Sequence, residues 1–307
     1  MRWPILIAGP TAVGKSAVAL ALAERLNGEI VSVDSMQVYR GLDLGTAKPS
    51  AEDRRRVAHH LINVVDVNQR FDAAQFVRLA RSAVADIRQR GHVPILCGGT
   101  GLYFKAFLEG LGEAPAANSA LRAELEATPT AELLRELQQR DPATFARIDQ
   151  QNLRRVIRAL EVIRLTSQPF SAQRALWGSK DGIRGRMRFF GLARSGSDLR
   201  RRIDARVDAM FADGLVRETE RLLKRGLGEN QTAMQAIGYR QVVEHLRGDR
   251  SLEETIALVK QRTRQLAKRQ LTWFRRQLDL RWTTLKPETG ATDAAEGLLS
   301  SSGFNPG

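Results

Sequence analysis

Eight residues near the amino terminus constrain this chain more than any other stretch: Gly9-Pro10-Thr11-Ala12-Val13-Gly14-Lys15-Ser16. They match G-x-x-x-x-G-K-[ST], the phosphate-loop pattern. The context agrees. Ile5-Leu6-Ile7-Ala8 is an apolar run suited to a buried strand, and Lys15 to Leu26 has helical composition stopped by Asn27-Gly28. Two glycines let such a loop wrap so that successive backbone N–H groups face phosphate oxygens. The following helix turns its positive end to the anion. Lys15 adds a point charge, and the Ser16 hydroxyl is placed for Mg²⁺. Residues Gly9 to Ser16 are therefore the candidate diphosphate- or nucleotide-binding set, with Ser16 the candidate metal ligand. A loop of this kind fixes a phosphate, not a reaction. Kinase, NTPase and diphosphate-leaving transferase all remain open.

Further apolar runs, Glu29–Val33 and Val93–Cys97, alternate with helical patterns over Phe71–Arg90 and Leu102–Leu108. This alternation predicts an α/β fold: a P-loop NTPase-like parallel sheet flanked by helices. Met187–Leu192 reads as a strand returning to that sheet. Helical patterns dominate Ala131–Leu165, whereas Gln168–Gly185 shows turn signals without periodicity. Leu199–Gly226 reads as helix broken at Gly214. Leu252–Leu280 reads as one long helix, with apolar Leu252, Ile256, Val259, Leu266, Leu271, Phe274 and Leu278 at three-to-four spacing. The expected layout is a catalytic core from residues 1–110 plus 187–285, a mainly helical insertion domain over 111–186, and a disordered tail over 286–307.

Composition narrows the class. Hydrophobic residues at 43% and charged residues at 27% are ordinary for a globular chain, and no apolar run approaches a membrane span. The amino terminus lacks a signal-peptide layout, so a cytoplasmic protein without membrane attachment is expected. One cysteine, Cys97, excludes a disulfide framework and a cysteine-based zinc site. His59-His60 has no partner ligands at metal spacing. The net charge is +14, and residues 184–281 hold 23 Lys/Arg against 12 Asp/Glu. A basic half of this kind fits a polyanion, most simply nucleic acid, or a solvated arginine-rich surface.

Ligands in open α/β sheets bind at the carboxyl ends of strands. Asp34, after the second strand, offers a carboxylate that could accept a proton or help hold Mg²⁺. Gly98-Gly99-Thr100-Gly101, after the third, permits close backbone approach, and Thr100 offers a hydroxyl.

With these residues in view the chain resembles the bacterial tRNA dimethylallyltransferases, also called tRNA isopentenyltransferases. The resemblance is carried by Gly9–Ser16, Asp34-Ser35-Met36-Gln37-Val38-Tyr39-Arg40, Gly45–Pro49, Gly98–Tyr103, Asn152–Glu161, Arg202–Asp208 and Gln235–Gln241, in order over about residues 5–280. It implies transfer of a five-carbon group from dimethylallyl diphosphate to the exocyclic amine of the adenosine 3′ of the anticodon (position 37), in tRNAs reading codons that begin with U. Mg²⁺ would be the cofactor, the partner the tRNA anticodon stem-loop, and the protein a monomer. Such proteins are often labelled ATP-binding because of the loop. By motif, Asp34 matches the general base and Thr100 the contact to the bridging oxygen of the leaving group. Lys15, Ser16 and Arg206 would neutralise the departing diphosphate. The resemblance assigns tRNA contact to Asp34, Ser35, Met36, Gln37, Thr100, Arg122, Arg154, Arg155, Val156, Ile157, Arg158, Gln235, Ala236, Ile237, Gly238, Tyr239 and Arg240. A base in an anticodon loop can be splayed into a pocket rather than read inside a duplex. A kinase on the same core, or an RNA-binding NTPase without transfer chemistry, are the rival readings.

Overall fold

The computed structural model describes residues 3–111, 115, 117–174 and 187–301. The chain divides into two compact units, Met1–Leu108 with Gly182–Gly307, and Glu109–Asp181.

The first unit is built on a six-stranded sheet: β1 (Ile5–Ala8), β2 (Gly28–Val33), β3 (His59–His60), β4 (Val93–Gly98), β5 (Arg188–Ala193) and β6 (Arg281–Thr284). The order is β3-β2-β4-β1-β5-β6, and every pairing is parallel. Parallel strands covered on both faces must be apolar throughout, which is why β1 is buried along its whole length. Helices α1 (Lys15–Leu26), α2 (Ala51–Arg56), α3 (Ala73–Gln89) and α4 (Gly101–Glu109) follow the first strands. Asp72 and Gln75 form a reciprocal cap that starts α3.

Register decides where the site lies. Ala8 of β1 pairs with Gly98 of β4 and Gly191 of β5, and Gly98 also pairs with Val33 of β2. The carboxyl ends of four strands are therefore nearly level. The segments beginning at Gly9, Asp34, Gly99 and Arg194 leave the sheet side by side.

The second unit is helical: α5 (Ser119–Ala127), α6 (Thr130–Arg140), α7 (Pro142–Phe145), α8 (Leu153–Thr166) and α9 (Phe170–Arg174). Its core is Leu125, Leu133, Leu137, Val156, Ile157, Ala159, Leu160 and Ile163. The buried Asp141 carboxylate accepts from the backbone N–H and hydroxyl of Thr144 and of Ser171, capping α7 and anchoring α9. The aperiodic stretch expected over 168–185 thus begins with a short helix; residues 175–186 lie outside the described ones.

The chain returns through β5 to α10 (Gly196–Ala212), α11 (Leu215–Leu223), α12 (Tyr239–Leu246) and α13 (Leu252–Gln277). The long helix stops at Gln277 rather than Leu280 because Leu278 turns extended and feeds β6, a strand the sequence did not signal. Leu252, expected on its apolar face, is exposed.

The tail requires a correction. Ala291–Ser301 forms helix α14, not disorder. Its Ala294, Ala295 and Leu298 are buried in the same core as Val18, Leu22 and Leu26 of α1. The small residues that suggest a loop instead let two helices approach closely. Residues 302–307 lie outside the described ones.

Candidate functional site

A cavity of about 650 Å³ opens at the level strand ends of the first unit. Thr11, Ala12, Gly14, Lys15 and Ser16 line it beside Asp34, Gln37, Gly98, Gly99, Arg202 and Arg206. The phosphate loop carries two left-handed positions. Gly14 sits at φ +108°, and Ala12 at φ +63°, a left-handed position uncommon for a residue with a Cβ.

Three arginines hold that loop. Arg194 Nε donates to the Val13 carbonyl at 2.9 Å and Arg202 Nε to the Ala12 carbonyl at 2.9 Å, while Arg206 Nη1 lies 3.5 Å from the Thr11 hydroxyl. In a trans peptide C=O and N–H point oppositely, so fixing two carbonyls fixes where the next N–H groups point. Arg194 is itself locked by Asp198 at 2.8 Å, both side chains being 4% exposed. Burial lowers the pKa of Arg202 and Arg206 from the usual arginine value. Arg206 was foreseen. Arg194 and a holding role for Arg202 were not, although Arg194 follows directly on the end of a strand.

Lys15 donates to the Pro10 carbonyl at 2.7 Å. Burial lowers its ammonium to about 8, with Cys97 and Asp34 opposing and Arg206 adding to the fall. Burial pushes the Cys97 thiol up to about 11, so the lone cysteine is an inert wall residue.

On the facing loop Asp34 Oδ1 accepts from the Met36 and Gln37 N–H groups at 2.8 and 3.3 Å. That fixes the carboxylate toward the cavity. The Thr100 hydroxyl oxygen accepts the Ser35 N–H at 3.0 Å, tying the β4 loop to the β2 loop. The Gln37 carboxamide is committed too, accepting from the Ser32 hydroxyl and donating to the Thr46 and Ala47 carbonyls.

Two distant motifs meet behind that wall. The buried Glu218 carboxylate accepts from the Asp43 and Leu44 N–H groups and from the Tyr239 hydroxyl at 2.6 Å. The Tyr239 oxygen in turn accepts the Gly45 N–H at 3.1 Å. Burial raises the pKa of Glu218 and of Tyr239. Lys48, with a side chain 3% exposed, donates to the Tyr39 carbonyl, Asp43 and Asn63.

Several residues expected to touch RNA have side chains that are buried or engaged within the protein. Tyr239 and Ala236 are buried, and Gly238 lies beneath the surface beside Leu215. Val156 and Ile157 face the core of the helical unit. Arg122 and Arg158 each donate at 2.7 Å to Glu161, whose side chain is 0% exposed, while their own side chains stay 29% and 32% exposed. The helix periodicity contained this answer: Val156, Ile157 and Leu160 share a face that Arg154 and Arg155 leave open. Arg154, Arg155, Gln235 and Arg240 are exposed, and Ser35, Met36 and Ile237 are half-buried. His59 and His60 form β3, and His60 Nε2 meets Glu29 at 2.6 Å. Among the described residues no group of three or more His, Cys, Asp or Glu could hold a metal ion. None of the helices there is long and apolar enough to cross a membrane.

Parallel order, phosphate loop and facing carboxylate define the phosphate-loop α/β class. Comparison narrows it. Residues 37–277 match the IPP transferase family. The chain is 46% identical over 278 residues to tRNA dimethylallyltransferase 1 of Citrifermentans bemidjiense, covering 91% of this chain and 90% of the relative. It is 49% identical over 285 residues to tRNA dimethylallyltransferase of Halorhodospira halophila, covering 91% and 92%. The crystal structure of the tRNA isopentenylpyrophosphate transferase of Bacillus halodurans superimposes with a TM-score of 0.69 at 39% identity, covering 99% and 98%. A eukaryotic dimethylallyltransferase acting on tRNA superimposes with a TM-score of 0.82 at 28% identity, covering 99% of this chain and 79% of that one. The chain belongs to the IPP transferase family.

Proposed function

We propose that this protein transfers a dimethylallyl group from dimethylallyl diphosphate to the exocyclic amine of adenosine 37 in tRNAs reading codons that begin with U. The observation that carries the reading is the pairing of a phosphate loop with a fixed carboxylate across one cavity, in a chain of this family. The amine nitrogen forms a bond to C1 of the donor while the C1–O bond breaks. Diphosphate leaves with the electron pair, and the amine proton passes to the Asp34 carboxylate.

The leaving group gathers negative charge as it departs. Lys15, Arg206 and the loop N–H groups held by Arg194 and Arg202 stand where that charge develops. Thr100 acts through its bond to Ser35, keeping the two catalytic loops in register, and reaches the bridging oxygen only if substrate draws its hydroxyl round. Ser16 offers a hydroxyl oxygen on the cavity wall, a hard donor that would suit Mg²⁺ alongside diphosphate oxygens and water. The ion would supply further charge neutralisation on the diphosphate. Arg154, Arg155, Gln235 and Arg240 are the exposed residues assigned to RNA. The protein works in the cytoplasm as a monomer.

Incubation with labelled dimethylallyl diphosphate, ATP and unmodified tRNA tests the reading. Label should enter RNA with release of diphosphate and without ATP consumption. Consumption of ATP with unlabelled RNA would replace it with a kinase or NTPase.

A further inference from the structure

Helix α13 reaches the cavity through one side chain. The Gln270 oxygen accepts the Thr11 N–H of the phosphate loop at 2.8 Å, and the Gln270 nitrogen donates to the Gly99 carbonyl at 3.0 Å. The two loops leave separate strands, β1 and β4, and these bonds join them through a helix more than 170 residues away in sequence. The fit is tight. A Cβ on Gly99 would lie 2.4 Å from the Gln270 nitrogen, and one on Gly101 would lie 2.2 Å from the Trp273 ring. A side chain at Gly101 is excluded by the Trp273 ring, and one at Gly99 would displace the Gln270 amide from its two bonds.

We propose that Gln270 is a positioning residue for the transfer reaction. Its carboxamide sets the spacing between the phosphate loop, which holds the leaving diphosphate, and the Gly98–Gly101 turn, whose Thr100 is bonded to Ser35 beside Asp34. A primary amide suits the task because its two ends have opposite hydrogen-bonding roles. A carboxylate keeps the acceptor for Thr11 but loses the donor for Gly99. An alkyl side chain loses both. In-line displacement is sensitive to misplacement: an error near 1 Å costs about 100-fold in rate. Gln270 touches neither reacting atom in this account; it acts through the loops it joins.

The inference rests on the proposed transfer reaction, and its test separates the two. Gln270→Ala and Gln270→Glu are compared with wild type in single-turnover transfer, in inorganic diphosphate affinity, in tRNA affinity and in backbone amide exchange over residues 9–16. Gln270→Ala should fall at least 10-fold in single-turnover rate, with tRNA affinity within 2-fold of wild type and faster exchange at the Thr11 amide. Gln270→Glu should keep Thr11 protected yet still lose rate, because the Gly99 bond is gone. A folded Gln270→Ala protein with wild-type rate overturns the inference. So does unchanged Thr11 exchange, or a rate loss that merely follows a fall in melting temperature or tRNA affinity. If wild type itself transfers no label, the transfer reading fails, and amide exchange with diphosphate affinity still decides whether Gln270 orders the loop.

Discussion

Replacing Arg158 with alanine should cost stability, not RNA affinity, and Arg155→Ala should do the reverse. The two residues lie on one helix, three positions apart, and a sequence reading treats them alike. In the structure Arg158 donates to the fully buried Glu161 at 2.7 Å and to the Pro115 carbonyl at 2.7 Å. Glu161 keeps two other partners, Arg122 at 2.7 Å and the Asn118 N–H at 2.9 Å. Losing one charge-assisted bond to a buried carboxylate is worth about 1.5–3 kcal/mol. Removing both arginines leaves a nearly uncompensated buried charge, and the cost rises to about 3–5 kcal/mol. The readout is amide exchange over Leu153–Thr166, the helix that carries Arg158 and Glu161. A loss of about 1.5–3 kcal/mol there corresponds to exchange faster by roughly 10- to 150-fold. Arg155 is exposed, so its removal should leave exchange unchanged. It should lower the slope of log affinity against log salt by about 0.7–0.9 if it meets a phosphate. An Arg158→Ala protein with wild-type protection and a reduced salt slope would refute the reasoning, because Glu161 would then not need it.

Lys15→Ala should weaken diphosphate binding by about 1.5–3 kcal/mol, read by calorimetry with inorganic diphosphate; unchanged affinity would remove the phosphate-loop assignment. Asp34→Asn keeps size and hydrogen bonding but removes the proton acceptor, so single-turnover rate should fall about 10²–10⁴-fold with tRNA affinity intact. Recovery of that rate at high Mg²⁺ would instead make Asp34 a metal ligand. Glu29 carries a pH signature away from the site. Burial opposes its charge, but hydrogen bonds from Arg90, His60 and His92 prevail and hold its carboxyl at about 2. A folded-state value below the unfolded one contributes stability above about pH 4.5, lost as pH falls toward 2. Its size is about 2–4 kcal/mol. Urea midpoints of wild type and Glu29→Gln should therefore converge on acidification from pH 6; parallel curves would show that the ion cluster contributes nothing.

What the sequence settled is local or periodic. The phosphate loop is eight contiguous residues whose pattern, with the flanking strand and helix, is local in sequence, so its chemistry was legible before any contact was known. The alternation of apolar runs with helical patterns likewise specified a parallel sheet, because strands buried on both faces leave few other compositions. Asp34 was found by its place at a strand end. Tertiary structure decided everything that depends on which surface meets which. A two-residue strand such as β3 and a short exposed one such as β6 have too few residues to show a period. Helix α14 looks like a linker until α1 supplies the face that buries Ala294, Ala295 and Leu298. Among the arginines, sequence could name a cluster but not sort it. Arg158 serves Glu161, Arg194 serves the Val13 carbonyl and Arg155 faces solvent, and only the position of a distant acceptor separates them. Gln270 shows the same limit. One glutamine among several on a long helix becomes a link between two loops because folding brings Thr11 and Gly99 to either end of its amide.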